Sequence, residues 1–219
     1  MNRMAIYVVL ALFLGLIAFR FTTFALMETE QAVVLEFGKP VGEPKTKAGL
    51  YFRTPFIQEV RRYDKRVLPW DGDAHEYKTR DKKLISIDIF ARWRISNALT
   101  FLKVVNSESS AQSRLDDFIG AAAREVVARN DLDEVVRDTN RPESDDVPEE
   151  EAWKPEDVRL GRSEIARQIL AKVKPQAPKL GIDIIDVNIK RVNYTEAVRQ
   201  AVYQRMIAER ERIAEKFRS

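Results

Sequence analysis

The stretch Leu84–Ile95, with the sequence LISIDIFARWRI, decides the fold. Apolar side chains occupy every second position, and these are Ile85, Ile87, Ile89, Ala91, Trp93 and Ile95. Polar or charged side chains lie between them at Ser86, Asp88, Arg92 and Arg94. Successive side chains of a strand point to opposite faces, so this alternation predicts one long strand with a buried face and a wet face. Antiparallel sheets have such faces, and we therefore expect an antiparallel sheet.

Shorter strands are predicted on both sides of this stretch. Segments rich in β-branched or aromatic residues and bounded by Gly or Pro precede it at Glu30–Phe37, Leu50–Arg53, Ile57–Tyr63 and Arg66–Trp70. Ile182–Asn193 follows Gly181 and also alternates, with Ile185, Val187 and Ile189 on one face. Ile184 breaks this parity, and we expect a β-bulge near Ile184–Ile185.

Helical periodicity dominates between the two long strands. Ser110–Asn130 and Val158–Val173 place apolar residues three and four positions apart, and Asp131–Thr139 is a candidate short helix. Arg141–Asp157 between them holds eight acidic and two basic side chains and three prolines. We expect this acidic insert to be a flexible loop, because it has too little apolar surface to offset the entropy of ordering. Together these patterns predict an α+β domain over residues 28–194.

The N-terminal stretch from Met4 to Met27 is nearly all apolar. Ala5–Phe19 is unbroken, Arg20 interrupts it, and the apolar character resumes to Met27. About 20 helical residues cross a hydrocarbon core of about 30 Å, so residues 1–27 are predicted to be a cytoplasmic tip and a transmembrane anchor. A cleaved signal peptide is the alternative, but no Ala-x-Ala cleavage site follows the apolar run.

The charges that flank this stretch indicate an orientation. Arg3 precedes it, and Glu28 and Glu30 follow it, although Arg20 counts against the asymmetry. Because basic flanks favour the cytoplasmic side, we expect a cytoplasmic amino terminus and a domain on the outer side.

The last segment, residues 195–219, predicts a long charged helix. Thr195 is a candidate N-cap, and no Pro or Gly follows it. The apolar stripe thins after Met206, so this helix is expected to leave the domain and to need a partner helix. Because no C-cap signal precedes Ser219, we also expect the natural helix to continue.

Composition leaves little room for catalysis. The chain has no Cys, which excludes thiolate sites and disulfides, and its one histidine, His75, is interpreted as a solvated loop residue. Its eight glycines are scattered without a phosphate-loop spacing. Asp116 and Asp117 are interpreted as a solvated helix face, and Glu149–Glu151 lacks the spacing of a calcium loop. We therefore predict a non-enzyme without a metal or cofactor site. The net charge of +3 gives no argument for nucleic acid binding.

Aromatic residues cluster in LYFRTPF, which spans residues 50–56. Tyr51, Phe52 and Phe56 surround Arg53 and Pro55. Two interpretations are open for Tyr51, Phe52, Pro55 and Phe56: a position at the membrane interface, or burial in the core. The basic residues of 61–66 have two interpretations as well, contact with lipid phosphates or the wet edge of a strand.

Five ordered blocks carry a resemblance to a known family. They are EQAVVLEFGK (30–39), AGLYFRTPFIQEVRRYDKR (48–66), IDIFARWRI (87–95), GIDIIDVNIKRVN (181–193) and AVYQRMIAERERIAEKFRS (201–219). In these blocks the chain resembles the SPFH, or band 7, family of stomatin, prohibitin, flotillin and HflK/HflC proteins. The last two blocks are most similar to bacterial inner-membrane members. Ala48 stands where family chains usually have Pro.

The resemblance implies a non-catalytic, single-pass protein of the bacterial inner membrane with its domain in the periplasm. It implies assembly with an HflK-like paralogue into a ring or cage that encloses an FtsH-like AAA+ membrane protease. It also implies charges between neighbouring coiled-coil helices at Arg205, Glu209, Arg210, Glu211, Arg212 and Glu215, for which a solvated helix face is the alternative. Two other functions remain open: a lipid-microdomain scaffold without a protease partner, and a membrane-bound hydrolase.

Overall fold

The structure is a computed structural model that describes residues 7, 10, 12–13, 15, 19–138, 159–194, 200, 204, 207 and 210. The strands are β1 (Thr23–Leu26), β2 (Glu30–Glu36), β3 (Lys39–Pro40), β4 (Gly49–Phe52), β5 (Gln58–Asp64), β6 (Leu68–Asp71), β7 (His75–Lys78), β8 (Leu84–Ile95) and β9 (Ile182–Tyr194). The helices are α1 (Ala98–Val104), α2 (Glu108–Val127), α3 (Leu132–Val136) and α4 (Arg162–Val173), with a 3-10 helix at Ala177–Leu180.

These elements form two compact units. The first unit consists of Met1–Leu68, Trp93–Ala111 and Gln176–Asp183. The second consists of Pro69–Arg92, Gln112–Pro175 and Ile184–Ser219. Antiparallel pairing joins β1 to β4, β2 to β3 and to β5, and β7 to β8. Antiparallel sheets and several helices confirm the predicted mixture of helix and strand.

The first unit holds two small sheets and α1. Phe24 and Leu26 of β1 pack with Ala32 and Val34 of β2 in one buried cluster. The cluster forms because β1 and β2 carry apolar side chains on the faces that they turn away from water.

Helix α1 adds a second buried group to the same unit. Its Phe101 is fully buried, with the Tyr63 ring edge-on at 5.2 Å and the Trp93 ring stacked at 6.4 Å. The Asn97 side chain accepts hydrogen bonds from the backbone N–H groups of Leu99 and Thr100, which caps the helix. Gly181 lies so close that a Cβ atom there would be 2.5 Å from the Asn97 carbonyl oxygen.

The second unit is built around the long strand. Strand β8 pairs with β6, β7 and β9, and its burial alternates residue by residue as the sequence predicts. Helices α2 and α4 bury their apolar stripes, which include Leu115, Ile119, Ile165 and Ile169.

In β9 the structure corrects one detail, because Ile184 is buried and Ile185 is 37% exposed. The parity of burial therefore changes between Ile184 and Val187, immediately after the predicted position.

The structure also corrects the end of the predicted anchor. Residues 19–22 are helical, but Thr23–Leu26 leave the helix and pair with Gly49–Phe52 as β1. High apolarity is shared by membrane helices and buried strands, so hydropathy could not mark this change. Within the described residues, no helix combines the length and the apolarity needed to cross a bilayer.

Several predicted segments fall beyond what the structure describes. Ala5 and the acidic insert 141–157 lie outside the described residues. In the predicted terminal helix, positions 200, 204, 207 and 210 are described, and all four are helical.

Candidate functional site

Exposed aromatic side chains mark one surface of the first unit. Phe37 is 81% exposed and Phe56 is 98% exposed, and both line one hollow of about 410 Å³. The rings of Phe21 and Phe56 stack with their centroids 6.4 Å apart. We call Phe21, Phe37 and Phe56 the phenylalanine surface. Single exposed apolar residues are common in proteins, but a cluster of large ones marks a contact site.

The backbone of two of these residues is held in an unfavourable conformation. Phe37 has a φ of 48° and Phe56 a φ of 70°, which are rare values for bulky side chains. Such conformations cost about 1–3 kcal/mol each and cluster at functional positions. Neither ring is buried, so burial does not offset the backbone strain. The two turns therefore expose aromatic rings to solvent and lower the free energy of unfolding.

Each of these turns has a simple origin in the chain. Phe37 and Gly38 form a two-residue connection between Glu36 and Lys39, which are paired, and both central residues have positive φ. This is the pattern of a type I′ hairpin turn. The turn at Phe56 is closed by Gln58, whose N–H donates to the Thr54 carbonyl at 3.0 Å and whose Oε1 accepts from the Thr54 N–H at 2.9 Å.

The structure separates the four aromatic and proline residues predicted from LYFRTPF. Phe52 is 69% exposed in β4, like Phe56 in its turn. Tyr51 is half-buried, its ring stacks on Phe24 at 5.7 Å, and its hydroxyl donates to the Lys47 carbonyl at 2.9 Å. Pro55 is also half-buried. Tyr51 and Pro55 are therefore partly buried, whereas Phe52 and Phe56 are exposed, and a position at the membrane interface stays a prediction.

Sequence reasoning missed a second hollow in this unit, which has a volume of about 580 Å³. Three guanidinium groups line it, from Arg20, Arg53 and Arg62, and no carboxylate does. We call it the arginine hollow. Its other lining residues are Phe21, Thr23, Phe24, Ala25, Met27 and Val60. Positions 20, 53 and 62 belong to separate segments, so no local motif could have signalled the hollow as a whole, although Arg62 is one of the basic residues of 61–66 for which contact with lipid phosphates is one interpretation.

One of these arginines has a hydrogen-bond donor without an acceptor. The Nε atom of Arg53 is buried and has no hydrogen-bond partner among the described residues. The nearest acidic group to Arg62 is Glu30, at 3.7 Å between Nη1 and Oε2. A buried donor without a partner costs free energy, so the arrangement favours an incoming acceptor.

In the second unit, hydrogen bonds join the segment before the acidic insert to the segment after it. The Glu134 carboxylate accepts from the backbone N–H groups of Arg159, Leu160 and Gly161 at 2.7, 2.7 and 2.9 Å. Burial opposes ionisation of Glu134, but these three donors outweigh it and lower the pKa of the carboxyl. Asp138 accepts from the backbone N–H of Ser163 at 2.9 Å and from its hydroxyl at 3.0 Å, which lowers the pKa of Asp138. We call this group the carboxylate clamp.

His75 and Asp116, which were considered for catalysis, have structural surroundings, whereas Glu149–Glu151 lie outside the described residues. His75 is exposed at the start of β7, in a strand instead of the predicted loop, because its segment pairs with β8. Asp116 accepts a hydrogen bond from the Trp70 indole at 2.8 Å, which gives it a structural partner. Across residues 19–138 and 159–194, no three or more His, Asp or Glu side chains are placed to hold a metal ion.

The predicted anchor and helix residues are described only in part. Phe19 is 53% exposed and Met27 is 66% exposed. Arg210 is helical and exposed. The remaining predicted contact residues are Arg205, Glu209, Glu211, Arg212 and Glu215, and they lie outside the described residues.

Comparison with known proteins gives a consistent result. The family described as SPFH domain / Band 7 family matches residues 26–219. The chain is 32% identical to protein HflC of Treponema pallidum over 97% of this chain and 68% of that protein. It is 32% identical to protein HflC of Borreliella burgdorferi over 90% of this chain and 63% of that protein. It is 28% identical to the modulator of FtsH protease HflC of Escherichia coli K12, over 97% and 71% of the two chains.

Proposed function

Because the chain belongs to the SPFH domain / Band 7 family, we propose that it is a non-catalytic membrane scaffold subunit that regulates an FtsH-like membrane protease. A relative at 28% identity is named as a modulator of that protease, which supports this role. Relatives at 32% identity carry the name HflC, so the resemblance to the family and to its HflC members is confirmed.

The phenylalanine surface is the observation that carries the membrane part of the proposal. Every exposed phenylalanine among the described residues belongs to the first unit, which also contains the described end of the apolar N-terminal stretch, residues 19–27. Removing one such side chain from water contributes about 1.5–3 kcal/mol, and aromatic rings favour the membrane interface. We propose that Phe52 and Phe56 lie at this interface, with Tyr51 and Pro55 behind them.

The anchor is retained in the proposal with a shorter helix. The sequence from Met4 to Thr22 reaches nearly the 30 Å of a hydrocarbon core at about 1.5 Å per residue. Strand β1 can therefore follow directly at the outer boundary. The amino terminus is cytoplasmic in this proposal, and both units are in the periplasm of a bacterial inner membrane.

The charged side chains of the second unit support a structural role. Arg92 of β8 pairs with Asp186 of β9, and Lys190 of β9 pairs with Asp71 of β6 at 2.8 Å. These ion pairs join neighbouring strands of the sheet, which is a structural use of the charges.

The terminal helix is the proposed contact with neighbouring subunits. We place it beside the corresponding helices of an HflK-like paralogue in a ring or cage around the protease. Arg210 is the residue of this set that the structure shows to be helical and exposed. The other charges from Arg205 to Glu215 are proposed to pair in the same wall.

The proposal is tested by isolating the intact protein from membranes in mild detergent and identifying its partners by mass spectrometry. We expect an HflK-like protein and an FtsH-like protease. An Arg210→Glu variant should recover less of the HflK-like protein, whereas Arg61→Glu, an equal charge reversal on exposed β5, should not. Recovery of neither partner by the unaltered protein would contradict the proposal and favour a lipid scaffold. Peptidase activity abolished by one Ser, Asp or Glu substitution would favour a hydrolase.

A further inference from the structure

The arginine hollow has the charge of an anion site. Arg20, Arg53 and Arg62 bring three positive charges to one concave surface, and its lining includes no carboxylate. Among the described residues neither Arg20 nor Arg53 forms an ion pair. Other guanidinium groups of the same unit have a carboxylate partner, as Arg61 has in Glu59 at 2.7 Å and Arg66 in Asp64 at 2.7 Å. Arg62 has Glu30 at 3.7 Å, so two of the three guanidinium groups lack a carboxylate partner within the described ranges, and such groups beside a hollow favour a phosphate or carboxylate ligand.

Arg53 has a fixed position beside the hollow and an unsatisfied hydrogen-bond donor. Its backbone N–H donates to the Thr22 carbonyl at 2.7 Å, which fixes the residue beside the end of the N-terminal helix. Its Nε atom is buried and lacks a partner among the described residues. A buried donor of a charged group is costly without an acceptor, and a ligand oxygen that entered the hollow would remove this cost.

The walls of the hollow identify the kind of anion. Phe24, Val60 and Met27 present carbon surface beside the guanidinium groups, and the volume of about 580 Å³ is far larger than a single phosphate ion needs. Phe21 lines the same hollow and also belongs to the phenylalanine surface. A ligand with a phosphate attached to an apolar chain would use both features, because guanidinium groups bind phosphate oxygens and carbon surface is stabilised by contact with an apolar chain.

We propose that the arginine hollow binds the phosphodiester group of an anionic phospholipid. The guanidinium groups of Arg53 and Arg62 hold the phosphate oxygens, Arg20 approaches from the helix end, and the apolar wall contacts the glycerol and the first acyl carbons. This inference rests on the proposed position of the first unit at the bilayer. It adds a preference for negatively charged lipids, which apolar contact alone would not give.

The test uses the full chain, purified in detergent and incubated with phosphatidylglycerol or with phosphatidylcholine. Native mass spectrometry then measures how much of each lipid the protein retains. We expect retention of phosphatidylglycerol over phosphatidylcholine, and about tenfold weaker retention after Arg53→Met or Arg62→Gln, the effect of losing one charge-assisted contact. Arg61→Gln is the matched control, because Arg61 is next to Arg62 on β5 and points to the opposite face.

Thermal unfolding of the lipid-free variants separates ligand binding from a structural role. Arg53→Met should unfold at the same or a higher temperature, because it removes a buried donor that has no partner. A lower unfolding temperature, equal retention of the two lipids, or full retention by Arg53→Met would each overturn the inference. So would displacement of the lipid by an equal concentration of glycerol 3-phosphate, which would indicate a site for small anions. Recovery of the protease partner is measured separately, so a negative lipid result leaves the proposed function standing.

Discussion

Substitution of Phe37 by Asn is expected to stabilise the protein. Phe37 has a φ of 48°, and its ring is 81% exposed, so the native turn gains little from the side chain. A left-handed backbone costs an ordinary residue about 1–2 kcal/mol, whereas Asn adopts it readily. Because Gly38 follows with a φ of 79°, the variant has the Asn-Gly pair that type I′ turns prefer.

The magnitude follows from these terms. We expect the free energy of unfolding to rise by about 1 kcal/mol, since strain is removed and almost no burial is lost. For a chain of 219 residues, this raises the unfolding temperature by about 2–4 °C. The measurement is thermal unfolding in detergent, followed by circular dichroism.

Phe52→Asn is the matched control. The ring of Phe52 is also exposed, at 69%, but the residue lies in β4 and pairs with Thr23. Asn is unfavourable in strands by up to about 1 kcal/mol, so the same substitution should lower stability here. Loss of stability in Phe37→Asn, or equal shifts in both variants, would refute the claim that the turn holds Phe37 under strain.

Three further outcomes are expected. Gly181→Ala should lower the free energy of unfolding in urea by about 3 kcal/mol. Its Cβ atom would be 2.5 Å from backbone atoms of Asn97 and Phe101, and the φ of Gly181 is 72°. Gly120→Ala is the control and should not lower stability, because no atom lies within 4 Å of the added Cβ. The carboxylate clamp should protect the amides of residues 159–161 and 163 from hydrogen exchange above the ordinary pKa values of 4.5 for Glu134 and 3.8 for Asp138. This protection should be lost as the pH falls through the lowered pKa values. Glu134→Gln should lack much of that protection at neutral pH, and an unchanged exchange rate would count against the clamp. A periplasm-dependent reporter fused after Ser219 should be active, and activity only of a cytoplasmic reporter would reverse the proposed topology.

Periodicity made the long elements predictable. In Leu84–Ile95 every second residue is apolar, and β8 has the same bounds in the structure. Helices α2 and α4 begin within a few residues of their predicted starts, because their apolar stripes repeat over three or more turns. Short elements lack such repetition. Four residues of β1 and seven of α1 are too few to show a period, although Asn97 is a cap signal that could have indicated α1.

The candidate site was harder to predict than the fold. Phe is among the most often buried residue types, so sequence alone could not indicate that Phe37 and Phe56 point outward. Their exposure depends on turn geometry that the pairing of β2 with β3 and the closure at Thr54 impose. The arginine hollow depends on tertiary structure too, because Arg53 and Arg62 line one hollow only when β1 is paired with β4 and β2 with β5.

The distribution of side chains supports a division of roles between the two units. The first unit exposes aromatic rings on turns with an unfavourable backbone conformation, and the buried Arg53 Nε atom lacks a hydrogen-bond partner in the described part of the chain. Both features lower the stability of the isolated protein, and both would be offset by lipid. The second unit pairs its charges internally, as Arg92 does with Asp186, and has no comparable surface among its described residues. A protein adapted to water alone would gain stability by replacing Phe37, Phe56 and Arg53. All three residues lower the stability of the protein in water and would be stabilised by contact with lipid. This common effect is the physical argument for placing the first unit against the bilayer.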